Sequence, residues 1–160
     1  SRMRILVLGI GNGLLGDEGA GIAALRRLEQ RSGDARDMTF ADGGTLGFSL
    51  AGLVADCDAL LVFDAANLEA PPGTVAAFEA REMDAFLGAR RAWSVHAAGL
   101  ADLMAVAVLE GIWPMRRALV GVQPGSVGWS ERLSPAVEGA LAAMADHAGQ
   151  ILARWRREEA

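Results

Sequence analysis

The residues of this sequence best suited to chemistry are two carboxylates and one imidazole. Glu18 follows a glycine-rich stretch at residues 9–16, Asp64 ends the apolar run at residues 60–63, and His96 precedes a predicted helix. Glu18 and Asp64 are expected beyond the carboxyl ends of parallel strands, where open sheets place their ligands. Two carboxylates and one imidazole leave coordination positions open, as catalytic metal sites do. This mixed oxygen and nitrogen set suits Ni²⁺, Zn²⁺ or Co²⁺, although spacing shows only that the three residues can converge.

Each candidate also has a structural interpretation. Asp17 precedes a predicted helix, where Asp is a favoured N-cap and acidic residues complement the helix dipole, so we interpret Asp17 as a cap. A carboxylate directly after a buried strand, such as Asp64, often caps a loop. A lone histidine such as His96 is more often a hydrogen-bonded structural residue than a ligand. The residue types alone leave both interpretations open.

The glycine-rich turn also raises the possibility of a nucleotide site. The dinucleotide fingerprint requires a glycine where this chain has Leu14, and no Lys-Ser or Lys-Thr pair follows as in a P-loop. The adjacent carboxylates of Asp17 and Glu18 would repel phosphate and favour a cation. Asp42 could imitate a ribose-binding acid, so a nucleotide-binding α/β domain is retained as the weaker alternative.

Short apolar segments predict the sheet that would position these residues. Continuous apolar runs at residues 3–9, 60–64 and 118–122 are typical of buried parallel strands, and residues 38–41 predict a weaker one. Residues 74–79 alternate and follow Pro71-Pro72-Gly73, which predicts an edge or antiparallel strand. Helical patterns cover residues 22–30, 46–55 and 100–109, and a last helix is predicted from Ser134 to Arg157. Strands that alternate with helices predict a three-layer α/β/α sandwich with a mostly parallel sheet of about five strands.

Composition limits the class of protein. The chain has 160 residues, 52% apolar and 22% charged, with a net charge of −5, which predicts a single globular domain (1–160) that does not bind nucleic acid. The longest apolar stretch, residues 97–113, is too short and too charged to span a bilayer. Cys57 is the only cysteine, so it is interpreted as a structural thiol of a protein from a reducing compartment. Three tryptophans, Trp93, Trp113 and Trp129, are interpreted as core residues, with a docking surface for a partner as the alternative.

At these residues the chain resembles the maturation endopeptidases of nickel-iron hydrogenases. The matching segments keep the order found in the family and span nearly the whole chain: Ile5-Leu6-Val7-Leu8-Gly9-Ile10-Gly11-Asn12, Leu15-Gly16-Asp17-Glu18-Gly19, Asp42-Gly43-Gly44-Thr45, Val62-Phe63-Asp64-Ala65, Pro72-Gly73-Thr74, His96 with Gly99-Leu100, and Gly121-Val122-Gln123-Pro124. Gly13 departs from the pattern, because a larger apolar residue is expected there.

The resemblance implies a cytoplasmic protease with an α/β sandwich fold, and we expect it to be a monomer. Its substrate would be a hydrogenase large-subunit precursor that loses a C-terminal extension after nickel insertion, with the nickel as the recognition signal. The family's metal ligands would be Glu18, Asp64 and His96, and its substrate-handling motif would be Asp42, Gly43, Gly44 and Thr45. Asp42 is then the favoured general base. A module that checks nickel insertion without cutting is the alternative function.

Overall fold

A five-stranded sheet forms the centre of the molecule. A computed structural model describes residues 2–44, 49–90 and 95–159, without the side chains of Ser49, Arg90 and residues 95–98. The strands are β1 (Ile5–Ile10), β2 (Met38–Gly44), β3 (Ala59–Ala65), β4 (Val75–Glu79) and β5 (Arg116–Val122). They lie in the order β2-β1-β3-β5-β4, and only β4 runs antiparallel to its neighbour. The predicted strands and the antiparallel edge are therefore confirmed.

Helices cover both faces of this sheet. They are α1 (Ala20–Ser32), α2 (Ser49–Ala55), α3 (Arg81–Arg90), α4 (Val95–Leu109), α5 (Pro135–Glu138) and α6 (Leu141–Glu159). Helices α1, α5 and α6 pack on one face, against Ile5, Val7 and Phe63, whereas α2, α3 and α4 pack on the other, against Leu6, Leu8 and Val62. Both faces are apolar because each strand is buried between helices. The three-layer sandwich is confirmed.

Two helix predictions need correction. The last helix is not continuous from Ser134 to Arg157, because the chain turns at Gly139 and Ala140 between α5 and α6. Glycine has a low helix propensity, and the break still leaves both Val137 and Leu141 in the same core. Helix α4 begins at Val95 rather than Leu100. Of the helix predicted at residues 46–55, α2 confirms the part from Ser49 to Ala55, and residues 46–48 lie outside the described part of the chain.

Helix α3 was absent from the prediction because its sequence has a weak apolar stripe. Tertiary contacts stabilise it instead: Met83 and Leu87 are buried, and Asp84 accepts hydrogen bonds from the Arg117 guanidinium and the Trp113 indole. Burial raises the pKa of the Asp84 carboxyl, but these hydrogen bonds and the Arg117 charge lower it below its ordinary value. Within the described part of the chain, no helix has the length and apolar character required to cross a bilayer.

The start of α1 lies so close to the sheet that Gly21 admits no side chain. A Cβ there would collide with the carbonyl oxygens of Ile10 and Phe63 on two neighbouring strands. We expect Gly21→Ala to lower the free energy of unfolding by about 1–3 kcal/mol, because backbone cannot easily move aside. Urea unfolding measures the change.

Gly149→Ala is the matched control, since Gly149 lies in α6 with open space around its Cα. That change should raise the free energy of unfolding by about 0.5–1 kcal/mol through helix propensity alone. Equal effects of the two substitutions would contradict the close packing of α1 on the sheet.

Candidate active site at the carboxyl edge of the sheet

The three predicted carboxylates lie at one edge of the sheet. Asp42 is near the end of β2, Asp64 is near the end of β3, and Glu18 lies in the turn that follows β1. Because β1 lies between β2 and β3 and all three strands are parallel, their carboxyl ends meet at this edge. The turn that carries Glu18 also packs against β3. Glu18 thus lies beyond the end of β1, as predicted, whereas Asp64 is the last but one residue of β3 rather than beyond its end.

The glycine-rich turn holds the backbone of Glu18 against the end of β1. A single 3-10 turn, Gly16–Gly19, carries Glu18 into α1. The N–H of Asn12 donates to the carbonyl oxygen of Glu18 at 3.2 Å. Gly11 has a φ of +140°, which disfavours a side chain, and a Cβ there would collide with the same Glu18 oxygen. The absence of a side chain at Gly11 therefore allows the Glu18 backbone to lie against the end of β1.

Asp17 is not the helix cap that the sequence predicts. It is fully buried, and its carboxylate makes no capping hydrogen bond. It accepts hydrogen bonds from the backbone N–H groups of Gly125, Ser126 and Ser134 and from the Ser134 hydroxyl, at 2.7–2.8 Å. Asp17 thereby joins the Glu18 turn to the segment at residues 125–134.

Sequence reasoning missed this segment as part of the site. Ser134 precedes Pro135 and lies at the N-cap position of α5, as predicted, but its hydroxyl donates to Asp17 rather than capping the helix. Burial raises the pKa of the Asp17 carboxyl, and the hydrogen bonds from Ser126, Ser134 and Gly125 lower it by more. The net pKa lies below its ordinary value of 3.8, so the group is ionised at neutral pH.

Asp64 and helix α4 lie on the same face of the sheet. Along β3, Val62 packs toward α2, α3 and α4 and Phe63 toward α1 and α6, so the alternation of a strand directs Asp64 toward the α4 side. Asp64 is only 5% exposed. His96 is the second residue of α4. Its side chain is outside the described set, so its approach to Asp64 stays a prediction.

Asp42 lies on the opposite face from Asp64. Its Cα is in register with Gly9, which is in register with Phe63, and residues of one row share a face of a parallel sheet. The Asp42 carboxylate lies 3.9 Å from the Arg26 guanidinium on α1 and accepts a hydrogen bond from the N–H of Gly44. Gly43 and Gly44 end β2, and Thr45 lies outside the described residues.

The arrangement concentrates negative charge and oxygen ligands at one edge. Among the described side chains, which exclude that of His96, no group of three His, Cys, Asp or Glu residues is arranged to hold a metal ion. Two of the three predicted ligands, Glu18 and Asp64, are among those side chains. A metal site that used both of them would need a third ligand, which we predict to be His96, and carboxylates at this position suit a cation better than phosphate.

Cys57 lies at the other edge of the sheet, just before β3. Its thiol donates to the carbonyl oxygen of Val54 at 3.3 Å, and burial, followed by the nearby Asp58 charge, raises the pKa of the thiol to about 11. This agrees with a structural thiol. At pH about 8 we expect only about one thiol in a thousand to be ionised, so alkylation by iodoacetamide is slow.

The measurement is the alkylation rate of the folded protein against pH, followed by intact mass. The rate should keep rising to about pH 11, whereas protein unfolded in urea should show the ordinary thiol midpoint near about 8.5. Rapid alkylation of the folded chain at neutral pH would contradict the raised pKa.

Comparison with known proteins identifies the class of protein that has this fold and this candidate site. A family model described as hydrogenase maturation protease matches residues 22–151. The hydrogenase expression/formation protein HupD of Thiocapsa roseopersicina is 40% identical over 164 residues, which cover 97% of this chain and 72% of the relative. The hydrogenase 2 maturation protease of Escherichia coli (strain K12) is 38% identical over 140 residues, 87% of this chain and 84% of the relative.

A solved structure shows the same architecture. The hydrogenase maturating endopeptidase HybD from E. coli matches with a TM-score of 0.86 and 36% identity, over 98% of this chain and 94% of that chain. The fold is thus that of a peptide-bond hydrolase with its candidate site at the carboxyl edge of a mixed sheet. The chain belongs to the hydrogenase maturation protease family. This confirms the resemblance found in the sequence and favours the protease over the nucleotide-binding and non-catalytic alternatives.

Proposed function

We propose that this protease removes the C-terminal extension of a nickel-iron hydrogenase large-subunit precursor after nickel has been inserted. The observation that carries the proposal is the placement of Glu18, in the turn after β1, and of the buried Asp64, near the end of β3, at the carboxyl ends of neighbouring strands, on a fold that belongs to this family. The nickel would arrive with the substrate. Carboxylates and an imidazole are suitable ligands for that ion.

Glu18, Asp64 and His96 are the residues that would bind the precursor's nickel. The backbone support for Glu18 favours this role, because hydrogen bonding and close packing at residues 11–18 fix where its side chain begins. Asp64 shares a face with α4, on which His96 lies in the first turn. A bound divalent ion supplies polarisation of a carbonyl and a lower pKa for water.

Asp42 is the residue that we propose as general base, with Gly43, Gly44 and Thr45 beside it to handle the substrate. Support comes from its position near the carboxyl end of β2, where its side chain is half exposed. Its carboxylate is oriented by the Gly44 N–H and by the nearby Arg26 charge. Asp42 faces α1 and Asp64 faces α4, so the two carboxylates lie on opposite faces of the sheet. A base at Asp42 would therefore act on a water molecule at the carboxyl ends of the strands, where the two faces meet.

Intact mass spectrometry of the precursor tests the proposal. The hydrogenase large-subunit precursor is incubated with the protein, with and without nickel loaded. Loss of a C-terminal peptide from the loaded precursor alone is the expected result. Cleavage of both forms would contradict nickel as the recognition signal, and an uncut loaded precursor that co-purifies with the protein would contradict cleavage.

A further inference from the structure

Three exposed apolar residues lie on two neighbouring segments beside the turn that carries Glu18. Leu14 is 51% exposed, Val127 is 50% and Trp129 is 83%, and we name these three residues the apolar rim. The core interpretation of Trp129 is therefore wrong, whereas Trp113 is half-buried against the α4 side of the core and Trp93 lies outside the described residues. Of the seven large hydrophobic residues exposed in the described part of the chain, three belong to the rim.

The rim is built from two segments that are hydrogen bonded to each other. The N–H of Ser130 donates to the carbonyl oxygen of Leu14 at 3.0 Å, and the N–H of Gly16 donates to that of Ser130 at 2.8 Å. These bonds form a short parallel bridge at Leu15 and Ser130. Leu14 and Trp129 are thus neighbours across the bridge, although they are far apart in sequence.

The Asp17 carboxylate holds the rim's second segment at both ends. Gly125 and Ser126 donate to it before Val127, and Ser134 donates after Trp129. The Asp17 N–H also donates to the Ser126 carbonyl oxygen at 2.7 Å. Because the backbone of this segment is already fixed, it loses little conformational entropy when its apolar side chains bind a partner, which lowers the entropic cost of binding.

The rim also lies next to the proposed site. Asp17, which holds the rim's second segment, directly precedes Glu18 in the chain. A polypeptide with its scissile bond at Glu18 must therefore also cover surface beside Glu18, where the rim lies. A tryptophan at such a position is the residue type most enriched among dominant binding residues. We propose that the apolar rim binds the precursor polypeptide beside its cleavage site, with an apolar substrate side chain on Trp129. This inference rests on the proposed function.

The size of the rim favours this occupant over a second copy of the chain. A fully buried tryptophan contributes about 150–250 Å², and Leu14 and Val127 add less. The sum falls well below the roughly 800 Å² per partner that a stable protein interface needs. The rim suits a subsite for a segment of substrate that is also held at the adjacent metal-binding residues.

Steady-state cleavage of the nickel-loaded precursor tests the rim. Trp129→Ala is expected to raise KM at least about tenfold while kcat stays within about threefold. Leu14→Ala should act in the same direction. Met115→Ala is the matched control, because Met115 is 89% exposed but precedes β5 at the opposite edge of the sheet, and it should leave KM unchanged. The unfolding midpoints of all three variants should match that of the parent chain.

Fluorine NMR provides a readout that does not depend on cleavage. Protein labelled with 5-fluorotryptophan is mixed with unlabelled precursor, and Trp129→Phe assigns the Trp129 resonance. That resonance should shift or broaden. The resonance of Trp155, which is buried on α6, should not change.

The outcomes separate the two proposals. If the parent chain fails to cleave the loaded precursor, the proposed function fails. If the parent chain cleaves and Trp129→Ala has an unchanged KM, or loses only kcat, the rim alone is overturned. A Trp129 shift that appears on raising the concentration of the protease without precursor would assign the rim to self-association and overturn the proposal.

Discussion

Glu18→Gln is expected to reduce cleavage of the nickel-loaded precursor by more than about a hundredfold. The substitution keeps the shape of the side chain but removes the negative charge that a divalent ion requires. Even the mutation of residues that only hydrogen-bond to metal ligands lowers metal affinity or activity about 10–100-fold. The backbone contacts of Glu18 with Gly11 and Asn12 do not involve the side chain, so the fold should be retained. The measurement is the rate of peptide release by intact mass, together with the thermal unfolding midpoint.

Glu29→Gln is the matched control, since Glu29 is exposed on α1 and changes the net charge equally. It should cleave like the parent chain.

His96→Ala should lose cleavage as Glu18→Gln does, with a nearly unchanged unfolding midpoint. Loss of folding in His96→Ala would support a structural histidine, and parent-like cleavage by Glu18→Gln would remove Glu18 from the site.

The largest loss of stability is expected from Asp17→Ala. This change leaves three backbone N–H groups and the Ser134 hydroxyl without the buried acceptor that they now share. The acceptor is a buried charged group, and a hydrogen bond to a charged group contributes about 1.5–3 kcal/mol. We therefore expect the free energy of unfolding to fall by more than about 3 kcal/mol at neutral pH, measured by urea unfolding.

The same contacts make this contribution depend on pH in a defined direction. The pKa of Asp17 is lowered in the folded protein, so its stabilisation is fully present above its ordinary pKa of 3.8 and is lost as the pH falls through the folded-state value. The difference in stability between the parent chain and Asp17→Asn should accordingly shrink as the pH falls below about 4. The contributions of other carboxylates cancel in that difference.

Asp146→Asn provides the comparison for an ordinary ion pair. Asp146 accepts a hydrogen bond from Arg31 at 2.7 Å, but both side chains are substantially exposed. Its replacement should cost less than about 1 kcal/mol. A cost for Asp17→Ala no greater than this would show that the segment at residues 125–134 is not anchored by Asp17.

Local patterns explain why much of the fold could be predicted from the sequence. The runs that became β1, β3 and β5 are buried on both faces, so they are apolar throughout and need no knowledge of their partners to be recognised. Proline and glycine before β4 marked the alternating edge strand. Asp64 was predicted for the same reason, because a polar residue at the end of such a run lies at a strand end. Glu18 was predicted because it follows the glycine-rich turn after the first run.

The roles that depend on distant partners could not be predicted in this way. Helix α3 is stabilised by Arg117, far along the chain from Asp84. Alternation within a strand is visible in sequence, but which helices cover each face is not, so the separation of Asp42 from Asp64 required the strand register. The exposure of Trp129 likewise depends on the hydrogen bonds to Asp17 that fix residues 125–134.

The sequence by itself determined the class of fold, the family and the residues at the carboxyl edge, because these follow from apolar periodicity, turn chemistry and an ordered set of motifs. The tertiary structure alone decided the role of Asp17 and the existence of the apolar rim. Asp17 looked like a local helix cap, yet its partners are 108, 109 and 117 residues away. A buried carboxylate takes hydrogen bonds from whichever donors the fold brings to it, and only the packed chain shows which donors those are.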